Sequence, residues 1–181
     1  MAPYCDIIIL RGDSMKNINI SEISQYIIEN IGKGFFINSS DGNNDNTMII
    51  GWGGPLIMHS VDAFVVAVRP SRFTYELLNK NPYFTISIPL HDMKEQIKIA
   101  GSKSGRDIHK FGTKGLTAEK AKSVNVPIVK ECELHIECKI ISYADMQDES
   151  IEDRTRKLYY ADGDLHRFYI GKILEVYYTD R

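Results

Sequence analysis

The chain has 181 residues, 43% hydrophobic and 25% charged, with a formal net charge of -2. That length suits one folded domain, residues 1–181, with a core that needs no covalent staples, and the near-neutral charge argues against a nucleic-acid or membrane-surface partner. No apolar run approaches the roughly 20 residues of a membrane span. The first residues lack the basic, apolar and small-residue succession of a signal peptide, so a cytoplasmic location is expected. The cysteines, Cys5, Cys132 and Cys138, are odd in number and form no C-x-x-C, which suits a reducing compartment. Cys132 and Cys138 fall in one strand-like run, where extended chain would separate them by roughly 20 Å. A disulfide tolerates only about 7 Å between Cα atoms, so they are expected to be unbridged and structural.

In chain order, Asn19-Ile20-Ser21-Glu22 has the spacing of a capping box, with Ile18 and Ile23 placed as a staple. Ile20, Ile23, Ile27 and Ile31 recur at helical spacing until Gly32 and Gly34 end the segment. Residues 34–39 and 47–52 read as strands joined by a polar turn over 41–46. Asp41, Asn43 and Asp45 imitate the start of a calcium loop, but Asn46 stands where Gly is needed and Trp52 where Glu is needed, so the turn is read as a turn. Residues 63–68 form a continuous apolar strand ending at Arg69-Pro70, 71–80 a helix, 83–88 a strand and 92–100 a second helix. Leu134, Ile136, Cys138 and Ile140 alternate with polar residues as in a half-buried strand. Residues 166–178 form a long strand, with Gly171 marking a bulge or a close approach. Six or seven strands with short inserted helices predict a mainly β fold, a closed or nearly closed barrel.

Common signatures fail. Gly51-Trp52-Gly53-Gly54 lacks the dinucleotide-binding glycine spacing, because Leu56 occupies its last position, and Gly101-Ser102-Lys103-Ser104-Gly105 is too short for a P-loop. The five histidines (His59, His91, His109, His135 and His166) show no metal-ligand spacing, so no metal site is expected. Two stretches stand out instead: Arg69-Pro70-Ser71-Arg72-Phe73-Thr74-Tyr75 and Gly101-Ser102-Lys103-Ser104-Gly105-Arg106-Asp107. Guanidinium groups, hydroxyls and free N–H groups at a helix start suit a phosphate. In a chain without a basic surface they point to a phosphorylated small molecule.

Four linked motifs carry a resemblance from about Lys33 to Ile173: N-T-M-x-I-G-W-G from Asn46, A-x-x-V-x-V-R-P-S-R-x-T-Y-E-x-L, G-S-K-S-G-R-D-x-x-K-F-x-x-x-G-L-T, and H-x-x-Y-I-G-K-I. Together they resemble the flavin reductase-like, FMN-binding split-barrel proteins, the flavoredoxin type above all. The resemblance implies a dimeric, six-stranded split β-barrel with FMN in a groove at the subunit interface. The strand of Asn46, Thr47, Met48, Ile49, Ile50, Gly51 and Trp52 would face the isoalloxazine edge. Arg69, Ser71 and Arg72 would hold the phosphate, Tyr75 would line the same pocket, and Ser102, Lys103 and Ser104 would close over it. His166 would be the catalytic residue beside the flavin. The implied activity is FMN-dependent oxidoreduction, of the NAD(P)H:flavin reductase type, taking electrons from NAD(P)H or a reduced protein donor. In such chemistry the cofactor carries the hydride while the protein supplies position and electrostatics. A non-enzymatic FMN electron carrier or redox-sensing module would use the same pocket, and a barrel that has lost flavin is disfavoured by the intact phosphate residues. One departure is His59-Ser60-Val61-Asp62, where relatives carry a basic residue and Pro; this loop is expected near the open flavin face. The acid-rich 143–156 segment matches poorly and is read as a surface excursion rather than a cover.

Overall fold

The structure, a computed structural model, describes residues 16–179; Cys5 lies outside them. Helix α1 (Ile20–Asn30) starts where the sequence places it, with Glu22 Oε1 accepting the Asn19 N–H at 2.9 Å. Its apolar stripe, Ile20, Ile23 and Ile27, is buried, and a 3-10 turn at Ile31–Lys33 ends it. Strands β2 (Phe35–Ser40) and β3 (Asp45–Ile50) then form the expected hairpin. Asp41 belongs to its turn, accepting the Asn43 and Asn44 N–H groups and pairing with Lys80 at 3.1 Å.

The rest of the chain supplies β4 (Gly53–Met58), β5 (Val61–Val68), α2 (Phe73–Lys80), β6 (Tyr83–Ile88), α3 (Lys94–Ser102), β7 (Ala118–Lys120), β8 (Pro127–Val129), β9 (Leu134–Asp145), α4 (Asp153–Tyr159) and β10 (Arg167–Tyr178). A two-residue β1 (Lys16–Asn17) pairs with the end of β10. The main antiparallel sheet has eight strands, two more than the resemblance implies, in the order β3-β2-β6-β9-β10-β5-β4 with β1 on β10. The two additions are β1 and the Gly- and Pro-bearing β4, whose composition disguises a strand that pairs with β5 from Gly53 to Met58. Pro is tolerated there because β4 is an edge strand.

This order forces the sheet to curl. Strands β3 and β4 are its opposite edges, yet only Gly51 and Trp52 separate them in the chain. A two-residue link cannot cross an open sheet of seven strands spaced about 4.8 Å apart, so the edges must meet at this link, where the Ala67 N–H of β5 donates to the Trp52 carbonyl at 3.3 Å and extends the β4–β5 ladder by one residue. The barrel therefore remains split between β3 and β4, and β3, as an edge strand, keeps one row of N–H and C=O groups out of the ladder.

Inside lie Phe35, Ile37, Phe64, Val66, Phe84, Ile86, Ile136 and Tyr169, with α1 packed over one end. Gly171 answers both sequence expectations. The β9–β10 register shifts between Ile170 and Gly171, and a Cβ there would come within 2.6 Å of the Phe84 ring and 2.8 Å of Cys138 Cβ. Cys138 lies in β9 and Cys132 in the turn before it, outside the strand run expected to hold both, and both are buried. On the outer face of β6 and β9, polar groups fasten the long 103–133 excursion. The fully buried Glu137 accepts the Lys122 and Ser123 N–H groups and the Tyr177 hydroxyl. His135 lies between Ser87 Oγ and the Cys132 carbonyl.

Candidate functional site

Two adjoining hollows lie along the seam. The first, of about 210 Å³, is lined by Met48, Ile49, Ile50, Gly51, Trp52, Ala67, Arg69, Arg72 and His166. The second, of about 310 Å³, is lined by Asn46, Met48, Ile49, Ser71, Arg72, Phe73, Thr74, the loop from Ala100 to Asp107, and Lys110. Met48, Ile49 and Arg72 belong to both, so together they make one bent groove with β3 as its floor.

The first hollow offers the unpaired edge of β3 and an aromatic wall. Trp52 is 43% exposed, and its ring lies 4.9 Å from His166 and 5.2 Å from Tyr159 between centroids. His166 Nδ1 lies 2.9 Å from the Tyr160 hydroxyl. Burial first, and then Arg69, push the His166 pKa down to about 4, so the ring is neutral at pH 7.

The second hollow is cationic and rich in N–H groups. Helix α2 begins there, and the first-turn N–H groups of a helix have no intrahelical acceptor. The Arg72 guanidinium forms no hydrogen bond or ion pair with another described residue, nor does the Lys103 ammonium. Lys110 is 3% exposed and donates to the Ala100 carbonyl at 2.8 Å. Burial first, and then the Arg72 charge, lower its pKa to about 8. Arg106 fastens the 103–107 loop to α2, donating to Glu76 and, at 3.0 Å, to the Ser71 carbonyl. Gly105 is required for this closure, since a Cβ would strike Asn46 Oδ1 and come within 2.7 Å of the Phe73 ring.

Of the residues singled out in the sequence, Met48, Ile49, Ile50, Gly51, Trp52, Arg69 and His166 meet in the first hollow, and Asn46, Ser71, Ser102, Lys103 and Ser104 in the second, with Arg72 in both. Two lie elsewhere. The Thr47 side chain is fully buried off the groove with its hydroxyl unpaired. The Tyr75 ring packs 6.1 Å from Tyr169 and under the Arg167 guanidinium, away from both hollows, because α2 turns that side toward β10. Asn46 donates to Thr74 Oγ1 at 2.9 Å, while its buried Oδ1 accepts nothing.

Arg69 and Ser71 already have internal partners. Arg69 donates to the Tyr159 carbonyl at 2.6 Å and pairs with Asp162 at 3.4 Å. Ser71 donates from its N–H and its hydroxyl to Asp164. The 159–164 turn thus covers one flank of the groove. Of the 143–156 segment read as a surface excursion, residues 143–145 are the end of β9 and 148–156 are largely exposed, and the cover comes from the residues that follow. The loop at His59-Ser60 is not near the groove. It is the tight turn of the β4–β5 hairpin, with positive φ at both residues, five residues or about 17 Å along β4 from the Gly53 end. Sequence reasoning quoted Lys110 inside a motif without giving it a role, and missed Tyr160 and Asp164, which no local pattern announces.

The split barrel with a seam groove is the architecture of a flavoprotein class, and comparison with known proteins agrees. The family described as flavin reductase like domain matches residues 29–181, and the chain belongs to it. It is 29% identical to an uncharacterized protein of Pyrococcus abyssi over 81% of this chain and 73% of that protein. Three such relatives are spanned over 73%, 66% and 55% of their own lengths. Among solved structures, flavoredoxin of Desulfovibrio vulgaris (Miyazaki F) is 25% identical with a TM-score of 0.64, covering 81% of this chain and 69% of that one. A protein with a split barrel domain from Shewanella frigidimarina is 21% identical with a TM-score of 0.65, covering 91% of this chain and 76% of that one. Membership supports flavin-related redox function. No described helix is long and apolar enough to cross a membrane.

Proposed function

We propose that the chain binds FMN in the seam groove and works as an oxidoreductase, passing electrons from NAD(P)H or a reduced protein donor to an acceptor. The observation that carries this reading is the chemical division of the groove. Its first hollow has a β-strand edge and an aromatic wall, suited to a flat polar ring, and the second has Arg72, Lys103, Lys110 and a helix start, suited to a phosphate. Bound FMN would supply the hydride-accepting ring. The chain's own residues orient it: N–H groups on the β3 edge donate to ring acceptors and favour negative charge there, Trp52 shields a face from water, and the cations fix the phosphate. A non-enzymatic FMN carrier would need the same groove.

We also propose a cytoplasmic location, where the buried Cys138 thiol is at home, and a homodimer. Ile28 on α1 and Ile57 on β4 are 69% and 70% exposed, and a second copy would cover such apolar surface. The test is spectroscopic. Purified protein, or apoprotein titrated with flavins, should bind FMN at least tenfold more tightly than riboflavin, and NADH or NADPH should bleach the bound flavin without oxygen. Equal affinity for FMN and riboflavin refutes the site, and bound FMN that no pyridine nucleotide bleaches favours a carrier fed by a protein donor.

A further inference from the structure

The geometry points to Tyr160 as a positioning residue that fixes the tautomer of His166, so that the ring offers an Nε2–H donor to the groove and not a proton-accepting lone pair. Tyr160 lies in the turn after α4, is 5% exposed, and its hydroxyl lies 2.9 Å from His166 Nδ1. A neutral imidazole has one donor and one acceptor, and a phenol can play either part, so the assignment rests on what each alternative leaves unpaired.

If Nδ1 carried the proton, the phenol oxygen would accept it, and the phenol's own proton would be buried with no acceptor among the described residues. Such an orphaned donor costs about 1–3 kcal/mol. If the phenol donates, Nδ1 accepts, and Nε2–H is the remaining ring donor of a residue that lines the groove. Nothing is then stranded. Burial raises the Tyr160 pKa, with the Arg69 guanidinium 5.3 Å from the ring centroid opposing it, so the phenol keeps its proton and has one to donate. Among the charges that bear on His166, Arg69 and Arg72 oppose a second proton and Asp164 favours one, while burial outweighs all three. A neutral ring with Nδ1 occupied has no free lone pair, so at neutral pH His166 donates a hydrogen bond to whatever occupies the groove and abstracts no proton from it. The tautomer stands independently of the cofactor; the contact with bound flavin rests on the functional reading above.

The test is long-range ¹H–¹⁵N correlation on ¹⁵N-labelled apoprotein at pH 7, with Tyr160→Phe as the variant. That change removes the hydroxyl but keeps the ring against Trp52 and Arg69. In the wild type, His166 should carry its proton on Nε2, with the Nδ1 resonance displaced upfield by the phenol. In Tyr160→Phe the Nδ1 resonance should move downfield to the value of an unbonded lone pair. Protonation on Nδ1 in the wild type, or an Nδ1 resonance unmoved by the substitution, overturns the inference, and the wild-type spectrum decides even if the variant folds poorly. Adding FMN should move the Nε2–H proton downfield. An unmoved Nε2–H with FMN bound overturns the donor role. FMN that fails to bind refutes the groove's assignment and leaves the tautomer to be decided by the apoprotein spectrum alone.

Discussion

Replacing Arg72 by Ala separates phosphate recognition from folding. Its guanidinium serves both hollows and has no partner among the described residues, so Arg72→Ala removes no internal bond. A charge-assisted hydrogen bond is worth about 1.5–3 kcal/mol, and each 1.4 kcal/mol is about tenfold in affinity. One lost contact to phosphate should therefore weaken FMN binding about ten- to a hundredfold, and two contacts more. Riboflavin, which has no phosphate, should change less than about threefold. Arg72→Lys should recover part of the loss, since an ammonium keeps the charge without the planar fork. Both flavins are titrated by fluorescence quenching at fixed ionic strength, beside thermal unfolding of the apoproteins, which should nearly coincide. Arg69→Ala is the contrast. It cuts the bonds to Tyr159 and Asp162 and should lower the apoprotein's midpoint as well as weaken binding. If Arg72→Ala weakens both flavins equally, or leaves FMN untouched, the second hollow is not a phosphate site.

Three further outcomes follow from particular contacts. Lys110 titrates near pH 8 under burial and the Arg72 charge. A phosphate dianion beside it should raise that value, so FMN binding between about pH 8 and 9 should take up a proton, read as a buffer-dependent binding enthalpy that Lys110→Met abolishes. Uptake that persists in the variant would assign the proton elsewhere. Gly171→Ala drives a methyl into Phe84 and Cys138 and should cost about 1–3 kcal/mol in urea unfolding, as overpacking does; an unchanged midpoint would mean the bulge yields freely. His135 and His166 have pKa values depressed to about 4 by burial. The unfolded chain protonates them near 6.5, so it binds more protons than the folded one between those values. Stability should be complete above about pH 6.5 and fall as pH drops toward 4, by up to about 1.4 kcal/mol per unit for each histidine. A flat profile from pH 7 to 4.5 would show that neither is held neutral.

Local periodicity and side-chain chemistry carried much of this molecule. The isoleucine stripe of α1, the hairpin around Asp41, the strand at 83–88 and the special place of Gly171 are written in spacings of two and 3.6 residues or in a residue type with no Cβ. Such signals act over a few neighbours and survive without tertiary context. The linked motifs of the groove were legible for the same reason, since most of their residues lie on one strand edge or one loop. What only the tertiary structure decided came from distant partners. β4 is a strand because β5 pairs with it, despite Gly53, Gly54 and Pro55. Tyr75 leaves the groove because the rotation of α2 is set by packing on Tyr169. Arg69 and Ser71 meet carboxylates about ninety residues away, a pairing that a one-dimensional pattern cannot contain. The sheet order, which brings β3 and β4 edge to edge, is likewise global. It is what brings the short Gly51–Trp52 link into the lining of a binding groove.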